Sequence, residues 1–332
     1  MRARMISVLW VTATLAACNT DPVEFGVDGH SDATSEDSTQ SDSRHQIDNI
    51  EDVASDESDA LDEVPLAECP TAIIDATEGD EVLPQTRLHL VGSQSLPGRA
   101  GEIAGFTWTV DQPAGSTSAF SPSAYVADPT FEANVAGVYK FSLHVFDAHG
   151  VESCEPAEYV VNVASPSALH IELLWTTPGD PDSTDGLGAD LDLHFLHPNA
   201  TGFFDEAWDT YWNYPQPHWA LNGAALPSLD RDDTDGDGPE NLNFDSPEDG
   251  LRYCVGVHYW DDRDFGVSYA TLRIYVYGAL AFEIQDVALA EDDLWQVTCF
   301  TWPTSAQSIA SQRDDAGGLL ITHDYRNPLE NP

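Results

Sequence analysis

Lysine is almost missing from this chain. Lys140 is the only one in 332 residues, and 12 basic residues stand against 58 acidic ones, a formal net charge of −46. A Walker-type phosphate loop needs a lysine after its glycines, and imine chemistry needs one in a desolvated pocket; neither is available. A surface this negative repels phosphate backbones, which excludes nucleic acid as a partner, while it attracts divalent cations. Nucleophile and zinc signatures are missing as well: there is no G-x-S-x-G elbow and no H-E-x-x-H. Of the histidines His194, His197, His218 and His258, the first two stand three apart on a strand, face opposite sides and do not share a metal. Adjacent acids such as Asp205/Glu206 and Asp261/Asp262 diverge on a strand, which argues against paired-carboxylate hydrolysis. No catalytic residue is assigned, and the chain reads as a non-enzyme.

Long apolar runs are absent except for one. Met5 to Ala17 is uncharged and apolar behind Arg2 and Arg4, the pattern of a secretory signal, and shorter than the roughly 20 residues a spanning helix needs. It ends in Leu15-Ala16-Ala17-Cys18, which resembles a bacterial lipobox. That resemblance implies cleavage after residue 17 and a diacylglycerol on Cys18, so the membrane is a partner through the anchor. Asn19, where an Asp would signal retention, points by the same analogy to the outer membrane or cell surface. The remaining cysteines are Cys69, Cys154, Cys254 and Cys299, an even number for an oxidising compartment, with no C-x-x-C spacing. Three pairings exist. Cys69–Cys154 with Cys254–Cys299 is favoured because each bridge then stays inside one domain, stabilising by roughly 4 kcal/mol on the chain-entropy model.

Residues 18–68 are dense in Asp, Glu and Ser and lack apolar periodicity, so they read as a disordered acidic linker spanning about 40 Å. From 69 to 165 the pattern alternates. Tyr139, Phe141, Leu143 and Val145 point one way, with Lys140, Ser142 and His144 opposite. About seven short strands separated by Gly/Pro/Ser turns predict an Ig-like sandwich. The run Gly137-Val-Tyr139-Lys-Phe141-Ser-Leu143-His-Val145-Phe-Asp147-Ala-His-Gly150 resembles the late strand and turn of PKD domains, and Phe106-x-Trp108 falls on that family's Y-x-W strand. The W-D-F-G-D-G turn usual there is replaced by W-T-V-D-Q-P-A-G. The resemblance implies a spacer or adhesion module.

Residues 166–305 carry further strand patterns at His170–Trp175, Ala189–Leu196, Leu251–Trp260, Tyr269–Tyr277 and Leu294–Trp302, with no useful helical period. The expected fold is therefore all-β, with a second sandwich of jelly-roll or Ig-like type, and residues 306–332 as a loosely attached extension. The runs Ala189-Asp-Leu-Asp-Leu-His194, Asp232 to Asn241, Tyr253 to Trp260 and Ala270 to Gly278 resemble, in order, the YfaP-like bacterial domain family, whose biochemistry is little assigned.

Asp233-x-Asp235-x-Asp237-Gly238 has the D-x-D-x-D-G spacing that brings alternate carboxylates round calcium, glycine permitting the turn. Position twelve, where an EF-hand has Glu, is Phe244, so this is no EF-hand. Asp190 and Asp192, on one face of their strand with Leu191, Leu193 and Phe195 opposite, are natural further ligands, as is Glu240. The competing readings are a solvated acidic turn and a site for another cation. The insertion from Gly202 to Pro227 is rich in rings. Trp208, Tyr211, Trp212 and Trp219 either offer a platform for a glycan or protein ligand or cover the end of the sandwich. The pattern as a whole predicts an envelope-anchored, calcium-stabilised binding or adhesion module. A secreted hydrolase with distal carboxylates and a purely structural envelope protein are the alternatives.

The anchor is checked by mass spectrometry of the mature N-terminus. Acylated Cys18 is expected there, and cleavage elsewhere or an unmodified cysteine refutes it.

Overall fold

The computed structural model describes residues 68–326, apart from residues 100, 183–184, 220–225 and 235. Cys18, the acidic linker, the last residues of the extension and Asp235 lie outside the described residues. What is described is all-β and forms two sandwiches in succession.

The first is built from β1 (Asp75–Ala76), β2 (Glu81–Val82), β3 (Thr86–Val91), β4 (Ile103–Asp111), β5 (Thr130–Ala133), β6 (Gly137–Asp147) and β7 (Ala157–Val163). Its sheets run β1-β3-β5 and β2-β7-β6-β4, antiparallel except where β2 meets β7. Tyr139, Phe141, Leu143 and Val145 of β6 are all buried, packed with Leu88, Trp108 and Phe131, as the alternation predicts. Each such side chain contributes about 1.5–3 kcal/mol.

The second sandwich uses β8 (Leu169–Thr176), β9 (Asp190–Leu196), β10 (Asp209–Thr210), β11 (Ser228–Arg231), β12 (Glu240–Phe244), β13 (Arg252–Asp261), β14 (Ser268–Val276), β15 (Ala279–Leu289), β16 (Leu294–Thr301) and β17 (Ile321–Thr322). One sheet is ordered β10-β9-β13-β16-β17, the other β11-β12-β8-β14-β15. Leu191, Leu193 and Phe195 of β9 face Leu169, Ile171, Leu173 and Trp175 of β8 in one core. The segment after Pro303 is more firmly held than its weak sequence pattern suggests. β17 pairs with β16, and the Tyr325 carbonyl accepts a hydrogen bond from His258 Nε2 at 2.8 Å. Both favoured disulfides are present: Cys69–Cys154, and Cys254–Cys299 between register partners on β13 and β16.

β8 and β9 are buried on both faces, although their sequences alternate. Alternation therefore marks chemistry here, and solvent is excluded from each outer face by a different cover. Over β8 the cover is the first sandwich. Glu172 accepts a hydrogen bond from Ala136 N at 2.8 Å and pairs with Arg273 Nη1 at 3.1 Å, and Arg273 Nη2 donates to the Ala114 carbonyl at 2.8 Å. Arg231 reaches across to Glu132 at 2.6 Å.

Removing one partner of a buried pair strands the other. Arg273→Met is expected to destabilise the chain by about 3–5 kcal/mol in urea denaturation, and Glu172→Met with Arg273→Met together to recover part of that loss. A single variant of unchanged stability contradicts the clamp.

Candidate functional site

The outer face of β9 carries Asp190, Asp192 and His194, and each sits where a surface strand would place a solvated group. Instead Asp190 is 7 % exposed and Asp192 2 %. Asp192 lies beside His258 of β13 in register, with 3.9 Å between Oδ2 and His258 Nδ1, and Asp190 stands opposite Asp261. From the other sheet, Glu240 at the first position of β12 crosses to this edge. It is fully buried, and its Oε2 accepts a hydrogen bond from Leu193 N at 2.6 Å. The turn before β12 brings Asp232 to the same point. Asp192, Asp232 and Glu240 thus each offer a carboxylate oxygen within 4.8 Å of the others.

Gly238 makes this return possible. Its φ is +73°, and a Cβ there would meet the Leu173 carbonyl and the Trp175 ring at 2.9 Å. The glycine of the D-x-D-x-D-G run therefore serves the close passage of the turn over β8 as well as its curvature.

Like charges in a dry place hold their protons. Burial, then the charges of Asp192 and Asp232, push the Asp190 carboxyl up to about 8. Asp192 is pushed up to about 7, chiefly by burial, with His194 acting in the opposite direction. Glu240 lies well above the usual range through burial and the charges of Asp192 and Asp232. Asp232, which stays exposed at the mouth of the group, is raised by partial desolvation, against the hydrogen bond it shares with Glu240. Three or four oxygens of this kind form a hard, anionic set suited to a cation such as calcium.

Of the residues expected as ligands, Asp190, Asp192 and Glu240 are brought together. Asp233 turns to Arg231 Nη2 at 3.1 Å, and Asp237 contributes its backbone carbonyl to Trp175 N. Asp232, which the D-x-D count from Asp233 passes over, takes the place assigned to them. A second group, Asp261, Asp262 and Glu291, lies nearer solvent at the end of β13.

The aromatic insertion is a cover. Tyr211 is 0 % and Trp219 4 % exposed, while Trp208 and Trp212 are half-buried against the core, so the four rings do not form an exposed ligand platform. Trp208 stacks on His197 at 4.5 Å and Trp219 on Phe195 at 5.6 Å. Phe203 lies over Gly256, where any Cβ would meet the ring at 2.3 Å. Beneath them His194 Nδ1 pairs with Asp209 Oδ2 at 2.7 Å, both fully buried, and the same oxygen accepts a hydrogen bond from Phe204 N at 2.8 Å. His194 and His197 are thus engaged with different partners, as their spacing implies.

The chain matches no protein-family model and no curated protein. One solved structure, from work on the promiscuous specificity of carbohydrate-binding modules of the β-sandwich superfamily, aligns with 66% of this chain and 100% of its own. The identity is 13% and the TM-score 0.23, a likeness that carries no argument about ligand or activity.

The raised carboxyls fix the sign of a pH dependence. Asp190 and Asp192 keep protons in the folded state where the unfolded chain, with carboxyls near pH 4, has lost them. Stability without cation is therefore greatest below about pH 4 for these groups and is lost as pH rises towards about 8. In EDTA the melting temperature should fall between about pH 5 and about pH 8, and Asp190→Asn with Asp192→Asn should flatten that slope. A slope unchanged in the double variant refutes the assignment.

Proposed function

We propose that this protein is an exported, lipid-anchored binding or adhesion module of the cell envelope, outer membrane or cell surface, whose distal sandwich is stabilised by calcium. In this reading Cys18 holds the chain to the membrane, the acidic segment acts as a tether, and the first sandwich serves as a PKD-like spacer for a YfaP-like distal domain. The observation that carries the calcium part is the convergence of Asp192, Asp232 and Glu240 from two sheets and a turn, with Asp190 beside them. A cation there relieves the mutual repulsion and links the edges of both sheets through one centre.

A non-catalytic role is favoured over carboxylate hydrolysis by the same geometry. Glycoside hydrolysis needs a carboxylate pair flanking an accessible bond. Asp192 and Glu240 are buried, and Glu240 is tied to the backbone of β9. They suit a structural cation better than a substrate.

Calcium is expected to raise the melting temperature of the full chain over that in EDTA. The gain follows RT ln(1 + [L]/Kd), about 2.7 kcal/mol at a hundredfold excess over Kd. Magnesium, which demands a tighter octahedral shell, should give less. Asp232→Asn with Glu240→Gln should abolish most of the calcium gain. Equal melting temperatures in millimolar calcium and in EDTA would reduce the cluster to a protonated acidic turn.

A further inference from the structure

With the aromatic insertion folded down as a cover, a ligand must be met elsewhere. A cleft of about 640 Å³ opens between Leu83–Gln85 of the first sandwich and the β11–β12 side of the second. Its volume lies within the range of small-molecule sites. Its wall is preorganised. Ser165 Oγ donates to Asn243 Oδ1 at 2.6 Å, Ser167 Oγ donates to Asp245 Oδ1 at 2.6 Å, and Asn243 Nδ2 donates to Asp230. His170 Nδ1 holds Asn243 from behind at 2.9 Å. These bonds fix the rotamers of the wall without help from a ligand.

Two amides are left out of this network. Asn241 lines the cleft, is 1 % exposed, and neither its Oδ1 nor its Nδ2 has a hydrogen-bond partner. Gln85 lines the opposite side, and its Nε2 is buried without a partner. Buried polar groups are nearly always satisfied, so these positions call for a partner. Between them they require two acceptors and one donor. An ammonium only donates and leaves both amide nitrogens unpaired. An anion only accepts, and the cleft lining holds Asp230 and Asp245 with no lysine or arginine among the described residues. A hydroxyl both donates and accepts. Leu83, Pro84, Pro166 and Leu226 add an apolar strip suited to C–H groups.

We propose that this cleft binds an uncharged saccharide unit, its hydroxyls paired with the amides of Asn241 and Gln85 and its C–H face on the leucine–proline strip. The site deepens the binding-module reading and does not use the carboxylate cluster, so the two fail separately.

Saturation-transfer NMR on the full chain tests it, with methyl glycosides of glucose, galactose, mannose and N-acetylglucosamine as probes and glucuronate and putrescine as charged controls. At least one neutral glycoside should receive saturation, and more than either charged control. Asn241→Leu should weaken that binding by about tenfold or more. Gln85→Gly should weaken it similarly; Gln85 has a φ of 67°, which glycine adopts freely, so this variant keeps the turn even if the strand variant fails to fold. No transfer to any neutral glycoside, preference for putrescine, or binding unchanged in Gln85→Gly overturns the proposal. Glycoside binding in a chain whose melting ignores calcium would reject the cation reading and keep this one.

Discussion

The distal sandwich depends on how it accommodates carboxylates that it buries at one edge. Glu240 leaves the sheet of β12, passes into the inter-sheet space and accepts a hydrogen bond from the Leu193 backbone on β9, so a carboxyl group forms part of the joint between two sheets. Asp192 and Asp232 crowd the same joint, and Asp190 flanks it. Neutralisation by protons or by a divalent cation is required for that arrangement to persist near neutral pH, because an unpaired buried charge costs several kcal/mol. The tight turn at Gly238, the pairing of β12 with β8 and the register of β9 on β13 all converge on it.

Covering both faces of β8 and β9 is the second consequence of this design. The outer face of β8 would expose His170 and Glu172, but the loops at Ala114 and Ala136 close over it, and Glu172 and Arg273 supply the hydrogen bonds that the buried loop ends need. The outer face of β9 is closed by Phe204, Tyr211 and the segment carrying Tyr325, with Asp209 orienting His194 beneath. In a chain of net charge −46, solvent-facing acids need no explanation. The buried ones do, among them Glu172 at the clamp on the first sandwich, Asp190, Asp192 and Glu240 at the joint, and Asp209 paired with His194.

Much of the fold is legible as alternation. β6, β8, β9, β13, β14 and β16 stand within a residue or two of the positions their side-chain pattern implies. β15 escapes because its phase slips: Leu280, Phe282 and Ile284 alternate, Asp286 adopts φ 57°, and the pattern resumes at Val287 and Leu289. β12 is short and hidden behind an acidic run. The site is half legible. Asp190, Asp192 and Glu240 follow from strand geometry and charge, but the choice of Asp232 over Asp233 depends on Arg231, whose guanidinium draws Asp233 aside in three dimensions. Tyr and Trp suit a ligand platform and a buried cap equally, so the sequence of the insertion leaves its role to be decided by packing against His197 and Phe195.

The central claim is that a cation replaces protons on these carboxylates. Calorimetric titration of calcium into the cation-free full chain near pH 7, repeated in buffers of different ionisation enthalpy, counts protons released on binding. Asp190 at about 8 and Asp192 at about 7 predict a net release that diminishes in the Asp190→Asn, Asp192→Asn variant. Calcium binding without proton release, or release unchanged in that variant, would contradict the account.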